Sequence, residues 1–469
     1  MKKTVQGVKM SNKLSRRDAL KLIGLSPVAA SVLLSSSATT QLEASEDVEG
    51  KIVIVGGGSG AIMALSRLQR AIKNPDITII APNEVHIYQP AQVFVASGEM
   101  EIEDIFLDNN DYIDTDKVNW IKDEVSKFNP DNNSVTLRSG EKIGYDYLIV
   151  ATGIQSNYEE IKGLKKEDIG TNGISSVYLN DLEYGTAQGA TITWDWFNDL
   201  KTAAKTKKPK VLYTQPSSPI KCGGAPQKML YLSADYLKEA GLSAEYTFAT
   251  GLKSLFHLPK IDQELHKTQK RYDKIENRFQ HHLQSIDVKN KKATFIHAYE
   301  EEVYDEDFEI YEKVSRADEV VIDYDFIHIT PPMSPVDSLK DSNLLDNMGW
   351  LEVDQYSLQH KRYKNIFGIG DVCGIPMGKT GGSARHHGPV LVENLISVMK
   401  NENLKAKFDG YTVCPLKTQY GKIIMAEFNY KGPAPTFPLD FEKPRWIWWA
   451  FDLYMLKPMY KYLMLTGRF

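Results

Sequence analysis

Short apolar runs separated by glycine-rich or polar stretches dominate the first third of this 469-residue chain. The run Ile52–Val55 is followed by glycines, by a stretch of helical periodicity over residues 61–72, and by a second run, Ile77–Ile80. Short apolar runs of this kind predict buried strands, whereas the longer periodic stretch predicts a helix. The order strand, glycine turn, helix, strand predicts a βαβ unit.

The turn of this unit, over residues 56–61, has the spacing of a loop that binds the pyrophosphate of a dinucleotide. Gly56 and Gly58 permit a tight turn and close approach of the phosphates, whose charge then lies at the helix N-terminus, while Ala61 takes the packing position. The carboxylate that usually binds the ribose is missing, because residue 81 is alanine; Glu84, Asn83 or backbone groups are the alternatives. The candidate contacts in the turn are Gly56, Gly58, Ser59 and Gly60.

Later segments supply further candidate contacts. One apolar run, from residue 145, ends in small residues that let the backbone lie against a cofactor, and another, from residue 365, ends in a carboxylate suited to a ribityl hydroxyl. Residues 378–382 then open a helix whose dipole, with Lys379, would stabilise negative charge on a reduced flavin. In this order the segments resemble the FAD-binding segments of flavoproteins with two dinucleotide domains. The residues assigned to FAD on this basis are Gln89, Val125, Ala151, Thr152, Gly153, Gly370, Asp371 and Lys379.

Composition excludes several classes of partner. The net charge of −5 provides no basic field for nucleic acid. Three cysteines are too few for a disulfide scaffold, and no Cys-x-x-Cys or His/Cys cluster has metal-ligand spacing, so we expect no structural metal.

Two of the cysteines indicate the chemistry. The apolar run 209–215 stands where relatives that use NAD(P)H carry a second glycine-rich loop, but here it leads into a segment that contains Cys222. Cys414 lies far away in the chain, in the segment 408–416. A dinucleotide site combined with two cysteines indicates redox chemistry, and the missing loop predicts a small electron donor that reacts with sulfur.

At this point the sequence resembles the sulfide:quinone oxidoreductases, especially the subgroup similar to the mitochondrial enzyme. The matching segments are 86–90, 219–228, 328–333, 370–371 and 408–416, spread over nearly all of the chain after residue 45. Ala81 and His257 depart from the family pattern. The resemblance implies that hydrogen sulfide is the substrate, that it is oxidised to sulfane sulfur or polysulfide, that FAD is the cofactor and that membrane quinone is the electron acceptor.

The resemblance also implies that Cys222 and Cys414 form a disulfide against the flavin, which hydrosulfide attacks to leave a persulfide on one cysteine and a thiolate on the other. It favours Cys414 as the thiolate nearer the flavin, although the sequence leaves this open. Lys221 either promotes thiolate formation or is a solvated turn residue. Cys373 is interpreted as a buried small side chain without a redox role.

The implied fold class is α/β, with two doubly wound, Rossmann-like domains and a C-terminal amphipathic segment that associates with a membrane. The predicted regions are a signal peptide (1–45), the first part of the FAD domain (46–160), a second Rossmann-like domain without an NAD(P)H loop (161–325), the second part of the FAD domain (326–405), and a redox-cysteine and membrane-interface region (406–469). The oligomeric state stays open.

The two ends of the chain carry predictions about location. Residues 15–21 fit a twin-arginine motif except for Ala19, and a weak apolar run follows, which predicts export to the periplasm. An uncleaved N-terminal anchor or a disordered basic tail is the alternative. Near the C-terminus, Trp446, Trp449, Leu453 and Leu456 share one helical face, but charges and Pro458 interrupt the run too often for a spanning helix. This pattern favours a helix that lies in the bilayer interface, and core packing or a dimer contact is the alternative.

Other assignments are weighed against this one. One alternative is a soluble flavoprotein subunit that passes electrons to a c-type cytochrome. The aromatic C-terminal segment argues against it, because a soluble subunit does not need such a segment. A non-catalytic sulfur-binding protein would keep FAD without being reduced by sulfide. A type 2 NADH dehydrogenase is disfavoured by the missing second nucleotide loop.

Overall fold

A computed structural model describes residues 46–180, 186–305 and 310–469. The predicted signal peptide, residues 1–45, lies outside these described ranges. Within them the chain has a mixed α/β fold, as expected from the alternation of short apolar runs with helical periodicity.

The strands of the described residues are short except in one long hairpin. They are β1 (Ile52–Val55), β2 (Ile77–Ile80), β3 (Val85–Ile87), β4 (Phe106–Asp108), β5 (Asn119–Ile121), β6 (Val125–Asn129), β7 (Ser134–Leu137), β8 (Lys142–Gly144), β9 (Tyr147–Val150), β10 (Gln155–Ser156), β11 (Ile174–Ser175), β12 (Lys210–Gln215), β13 (Glu245–Thr250), β14 (Ile275–Arg278), β15 (His281–Asp287), β16 (Lys292–Asp305), β17 (Ile310–Asp323), β18 (Phe326–His328), β19 (Met333–Ser334), β20 (Ile366–Gly368), β21 (Thr412–Gln419), β22 (Lys422–Asn429) and β23 (Gly432–Pro433).

The helices lie between these strands and at the C-terminal end. They are α1 (Ser59–Ala71), α2 (Gln92–Val95), α3 (Gln188–Ala203), α4 (Ala225–Glu239), α5 (Pro259–Gln269), α6 (Gly381–Met399), α7 (Trp446–Tyr454) and α8 (Leu456–Met459), followed by a π-helical turn, Tyr460–Met464.

The first sheet has five parallel strands in the order β20-β9-β1-β2-β5. All four residues of β1 and of β2 are buried, which explains why both strands read as continuous apolar runs. Helices α1 and α6 pack against each other beside this sheet. Strand β20 arrives from the far end of the chain, so the sheet is built from two distant segments.

The second sheet is also five-stranded and parallel, in the order β11-β18-β12-β13-β14. The strand at one predicted domain boundary, Phe326–His328, pairs in this sheet. The carboxyl ends of β11, β18 and β12 therefore lie side by side. Ligands in parallel α/β sheets usually bind at such an edge.

A third, antiparallel sheet, β21-β22-β23, joins the end of the chain to the rest. Helix α7 packs on β21 and β22. Helix α4, which follows β12 of the second sheet, also packs on β21. Trp448, Trp449 and Leu453 of α7 are buried. In the described ranges, no helix combines the length and the apolar character needed to cross a bilayer.

Candidate active site

The two cysteines of the predicted redox pair meet between α4 and β21. Cys222 lies in the loop after β12 and has a φ of 85°, a left-handed conformation that is uncommon for a residue with a side chain. Cys414 lies in the middle of β21, opposite Ala426 of β22. The two are separate thiols joined by a hydrogen bond.

Gly224 explains how the two segments come this close. A Cβ at this position would stand 2.9 Å from the Sγ of Cys414 and 2.1 Å from a methyl group of Leu416. Only glycine therefore lets β21 lie against the cysteine loop. Helix α4 begins at the next residue, with Pro226 in its first turn.

Charge around the pair favours a thiolate on Cys222. The Cys414 thiol donates to Cys222, and Lys228 of α4 donates from Nζ to the Cys222 Sγ at 3.1 Å. These contacts outweigh burial and hold the pKa of Cys222 well below its usual range. The pKa of Cys414 changes in the opposite direction: its hydrogen bond to Cys222 and its burial both raise it. Burial disfavours the charge of Lys228, but the two cysteine sulfurs raise its pKa above the ordinary value.

A buried ion pair connects the redox strand to the C-terminal helix. The Nζ of Lys417, three residues after Cys414, lies 2.5 Å from Oδ2 of Asp452 on α7, and the two side chains are 2% and 3% exposed. The same ammonium group stands 4.3 Å from the centre of the Phe94 ring. Sequence reasoning did not assign a role to Lys228, Lys417 or Asp452. For Lys228, the available signal was its place six residues after Cys222, at the start of a helix.

The glycine turn has the shape required of a phosphate loop. Gly56 has a φ of 125°, and a Cβ there would stand 2.4 Å from the carbonyl oxygen of Ala151 at the end of β9. A Cβ on Gly58, on Gly153 or on Gly370 would meet no protein atom within 4 Å, so these positions face open space. These observations fit a dinucleotide whose phosphates approach the backbone here.

Polar groups around this turn also fit a cofactor. In the described part of the chain, the buried Oγ1 of Thr152 has no hydrogen-bond partner. Lys221 donates from Nζ to Oε1 of Gln89 at 3.0 Å and attracts Asp371. Burial raises the pKa of Asp371 and lowers that of Lys221, and their mutual attraction opposes both changes.

Lys379 precedes α6, which begins at Gly381 as the sequence predicts and is capped by Thr380. Its Nζ donates to the carbonyl oxygens of Asp371 at 2.6 Å and Cys373 at 3.0 Å. Burial lowers the pKa of Lys379 to about 8. The backbone carbonyls thus hold this ammonium group close to Asp371.

The remaining predicted residues have varied surroundings. The side chain of Asn83 bonds the carbonyl of Gly57, at 3.4 Å, whereas the carboxylate of Glu84 pairs with Lys122 on the exposed surface. Val125 opens β6 and is buried in a second apolar cluster. Cys373 is fully buried in the same cluster, and burial raises its thiol pKa to about 12.

The C-terminal segment reaches the glycine turn through a chain of hydrogen bonds. The Tyr460 hydroxyl bonds Nε2 of His86, and Nδ1 of His86 lies 3.0 Å from Oδ1 of Asn109. Because the amide oxygen can only accept, Nδ1 carries the proton and Nε2 accepts from Tyr460. Asn109 then donates to the carbonyl of Gly57 at 3.1 Å.

Comparison with known proteins bears on this site. The pyridine nucleotide-disulphide oxidoreductase family matches residues 50–181. The mitochondrial sulfide:quinone oxidoreductase of Mus musculus is 35% identical over 420 residues, covering 89% of this chain and 86% of the relative. The enzyme of the same name from Dictyostelium discoideum is also 35% identical, with the same shares covered.

The chain belongs to the sulfide:quinone oxidoreductase family. It is an enzyme of that family, and its cofactor is FAD. The solved structure of the sulfide:quinone oxidoreductase from Aquifex aeolicus superposes with a TM-score of 0.68 over 90% of this chain and 92% of that one. At 20% identity, this match confirms the fold.

The prediction of twin-arginine export to the periplasm is wrong. The relatives that match most of this chain are named as mitochondrial proteins, which points away from the periplasm. The stretch before Glu43 contains seven basic residues, one acidic residue and many serines. A serine content this high and a single acidic residue are also features of mitochondrial transit segments, so a pair of arginines does not separate the two kinds of signal.

Proposed function

We propose that the protein oxidises sulfide at the Cys222–Cys414 pair and passes the electrons through FAD to quinone. The observation that carries the proposal is the contact between the two thiols, with Lys228 bound to one of them. The names of the relatives, which act on sulfide and quinone, support the same reaction.

The first step is an exchange at a Cys222–Cys414 disulfide. A hydrosulfide ion attacks one sulfur, the disulfide bond breaks, a new sulfur–sulfur bond forms a persulfide, and the other cysteine leaves as a thiolate. The thiol of lower pKa is the better leaving group. Because Lys228 lowers the pKa of Cys222, we propose that Cys222 leaves and Cys414 carries the persulfide.

The surroundings of Cys222 support its place on the cofactor side of the pair. Lys221, its neighbour in the chain, contacts Gln89 and attracts Asp371, and both of these are proposed FAD contacts. We therefore propose Cys222 as the thiolate nearer the flavin, whereas the resemblance favoured Cys414. The persulfide then passes its outer sulfur to an acceptor such as a second hydrosulfide ion, which gives a polysulfide, and the two cysteines form their disulfide again with the release of an electron pair. When bound, FAD would accept that electron pair and donate it to quinone.

Residues around the cofactor have proposed roles that follow from their contacts. The turn 56–60 binds the pyrophosphate at the N-terminus of α1, and Asp371 accepts from the ribityl chain. Lys379, held by two carbonyl oxygens, brings positive charge to this region. Asn83, whose side chain touches the glycine turn, is proposed to take the ribose role that Ala81 cannot fill.

The second sheet is proposed to form a second doubly wound domain that does not bind a nicotinamide nucleotide. Between β12 and α4, residues 216–224 place Cys222 where the glycine-rich loop of such a nucleotide would begin. The N-terminus of α4, whose dipole is positive, then favours the thiolate of Cys222.

The C-terminal segment is proposed to lie on a membrane surface, where it gives a lipid-soluble quinone access to the enzyme. Trp446 is 52% exposed and Tyr462 is 59% exposed, although both are large aromatic residues. Aromatic side chains of this kind prefer the bilayer interface. For the location, the mitochondrial relatives support a mitochondrial membrane.

Anaerobic addition of sulfide to the purified protein, followed by a water-soluble quinone, tests the proposed reaction. We expect the flavin to be bleached by sulfide and reoxidised by quinone. Bleaching by NADH and not by sulfide would contradict it. Reoxidation by a c-type cytochrome and not by quinone would keep the sulfide step and refute the acceptor.

A further inference from the structure

Three loops of the second sheet converge beside the cysteine pair. They follow β11, β18 and β12, which are neighbours in the sheet. The amide of Ile329 donates to Ser175, the amide of Thr330 donates to Thr214, and Gln215 donates to the carbonyl of Gly223. The ends of all three strands are thereby tied to the loop that carries Cys222.

Two hydroxyl groups at this edge of the sheet are buried and have no hydrogen-bond partner among the described residues. Tyr178 is 5% exposed and Thr330 is 2% exposed. The two hydroxyls approach each other, yet within the described ranges neither completes a hydrogen bond. Buried hydroxyls without partners are destabilising, and they usually mark a place where a water molecule or a ligand binds.

Two other buried tyrosines of this region have partners for their hydroxyls. The hydroxyl of Tyr158 bonds that of Ser176 at 2.7 Å, and the hydroxyl of Tyr213 bonds that of Ser233. Among the described residues, the buried hydroxyls of Tyr246 and Tyr324 also lack a partner, but they lie where β13 and β18 begin, at the opposite edge of the sheet from Tyr178. Tyr178 also lies within electrostatic reach of both Cys222 and Cys414.

We propose that Tyr178 and Thr330 bind the hydrosulfide ion beside the cysteine pair by donating hydrogen bonds to its sulfur. The inference rests on the proposed function and assigns the substrate-binding groups of that site. Burial raises the pKa of Tyr178 well above its ordinary value, so its hydroxyl stays a donor throughout the working range of the enzyme. An anion gains more than a neutral molecule from two donors in a buried site.

The test compares anaerobic flavin reduction by sulfide in the wild type, Tyr178→Phe and Thr330→Val. Each substitution removes a hydroxyl while keeping most of the side-chain volume. Tyr158→Phe is the matched control, because it also removes the hydroxyl of a buried tyrosine. We expect Tyr178→Phe and Thr330→Val each to lower the second-order rate constant about tenfold. The limiting rate at saturating sulfide should change little, and Tyr158→Phe should match the wild type.

Thermal unfolding gives a second readout. If the Tyr178 hydroxyl has no partner in the protein, Tyr178→Phe should unfold at the same temperature as the wild type or higher, whereas Tyr158→Phe should unfold earlier. Equal sulfide kinetics in Tyr178→Phe and the wild type would overturn the inference and leave only an ordered water at this position, and a lower unfolding temperature would show that the hydroxyl is structural. A wild type that sulfide does not reduce would refute the proposed function itself, and the hydrosulfide site with it.

Discussion

Lys228 donates a hydrogen bond from Nζ to the Sγ of Cys222 at 3.1 Å. The lysine is buried, with only 4% of its surface exposed. The ammonium group is thus almost wholly withdrawn from water and faces a sulfur atom. Burying a lysine is costly unless a negative partner compensates for the lost hydration. The Cys222 thiolate is that partner, so the pair stabilises the charge of both groups.

Lys228→Met should therefore raise the pKa of Cys222. A hydrogen bond to a charged group contributes about 1.5–3 kcal/mol, so we expect Cys222 in the reduced enzyme to be alkylated roughly tenfold more slowly or worse at neutral pH. The pH dependence of alkylation should shift upward. Lys238→Met, on the exposed face of the same helix, is the control. An unchanged alkylation profile in Lys228→Met would show that Lys228 does not set the thiol pKa.

Four histidines, three of them buried and one, His386, partly buried, make stability depend on pH. Burial lowers the pKa of His86 and of His386 to about 4, and that of His328 and of His387 to about 3. Between about pH 6.5 and pH 4 the unfolded chain binds protons that the folded chain does not, so stability falls as the pH falls. Each histidine contributes up to about 1.4 kcal/mol per pH unit in that window.

Urea unfolding at a series of pH values checks this expectation. The free energy of unfolding should be nearly constant with respect to these groups above about pH 7 and should decline below about pH 6.5. His328→Gln removes one titrating group and should reduce the slope by about one proton. A slope that is the same in this variant and the wild type would contradict the assignment for His328.

The pair between Lys417 and Asp452 is suited to a double-mutant cycle. Lys417→Met or Asp452→Leu alone leaves a buried charge without its partner, and each should lower the free energy of unfolding by about 3–5 kcal/mol. The double variant replaces both charges with apolar groups and should recover most of that loss. Chemical denaturation measures all four proteins. A double variant no more stable than the single ones would mean that the two charges do not act as a pair.

Trp446 provides the test of the membrane surface. Trp446→Ser should weaken cosedimentation with liposomes several-fold, because an interfacial tryptophan loses its aromatic ring. Met348→Ser is the control, since Met348 is 79% exposed and lies outside the C-terminal segment. Equal liposome binding by the two variants would argue against the proposed surface.

The apolar pattern was sufficient for the first βαβ unit. The strands predicted at 52–55 and 77–80 are present with those bounds, because residues buried on both faces of a parallel sheet form unbroken apolar runs. The helix predicted after Gly378 begins at Gly381. The mixed α/β class was predictable because apolar runs and helical periodicity are both local features of the chain.

The meeting of the cysteines could not be worked out from local pattern. It requires β21 to lie across α4, and the only local trace of that packing is Gly224, whose missing side chain leaves room for Cys414. The pairing of Lys417 with Asp452 is also long-range, and each residue alone looks like an ordinary surface charge. The sequence does not single out Tyr178, because the lack of a partner for its buried hydroxyl depends on the folded surroundings.

The aromatic face of the C-terminal helix was predicted only in part. Helical spacing groups Trp446 with Trp449, yet Trp446 is exposed and Trp449 is 7% exposed. The hairpin β21–β22 packs against α7, whose first residue, Trp446, stays exposed while Trp448 and Trp449 are buried. Periodicity identifies which residues share a face, but it does not show how far along the helix a neighbouring sheet extends.

The central claim is that Cys222 and Cys414 act as one redox pair. Rapid-mixing absorbance measurements of flavin reduction by sulfide, without oxygen, test it most directly in the wild type, Cys222→Ser, Cys414→Ser and the control Cys373→Ser. We predict rapid reduction in the wild type and in Cys373→Ser, and a loss of at least about a thousandfold in the other two variants, since neither can form the disulfide that hydrosulfide attacks. Rapid reduction in Cys222→Ser or in Cys414→Ser would contradict the account.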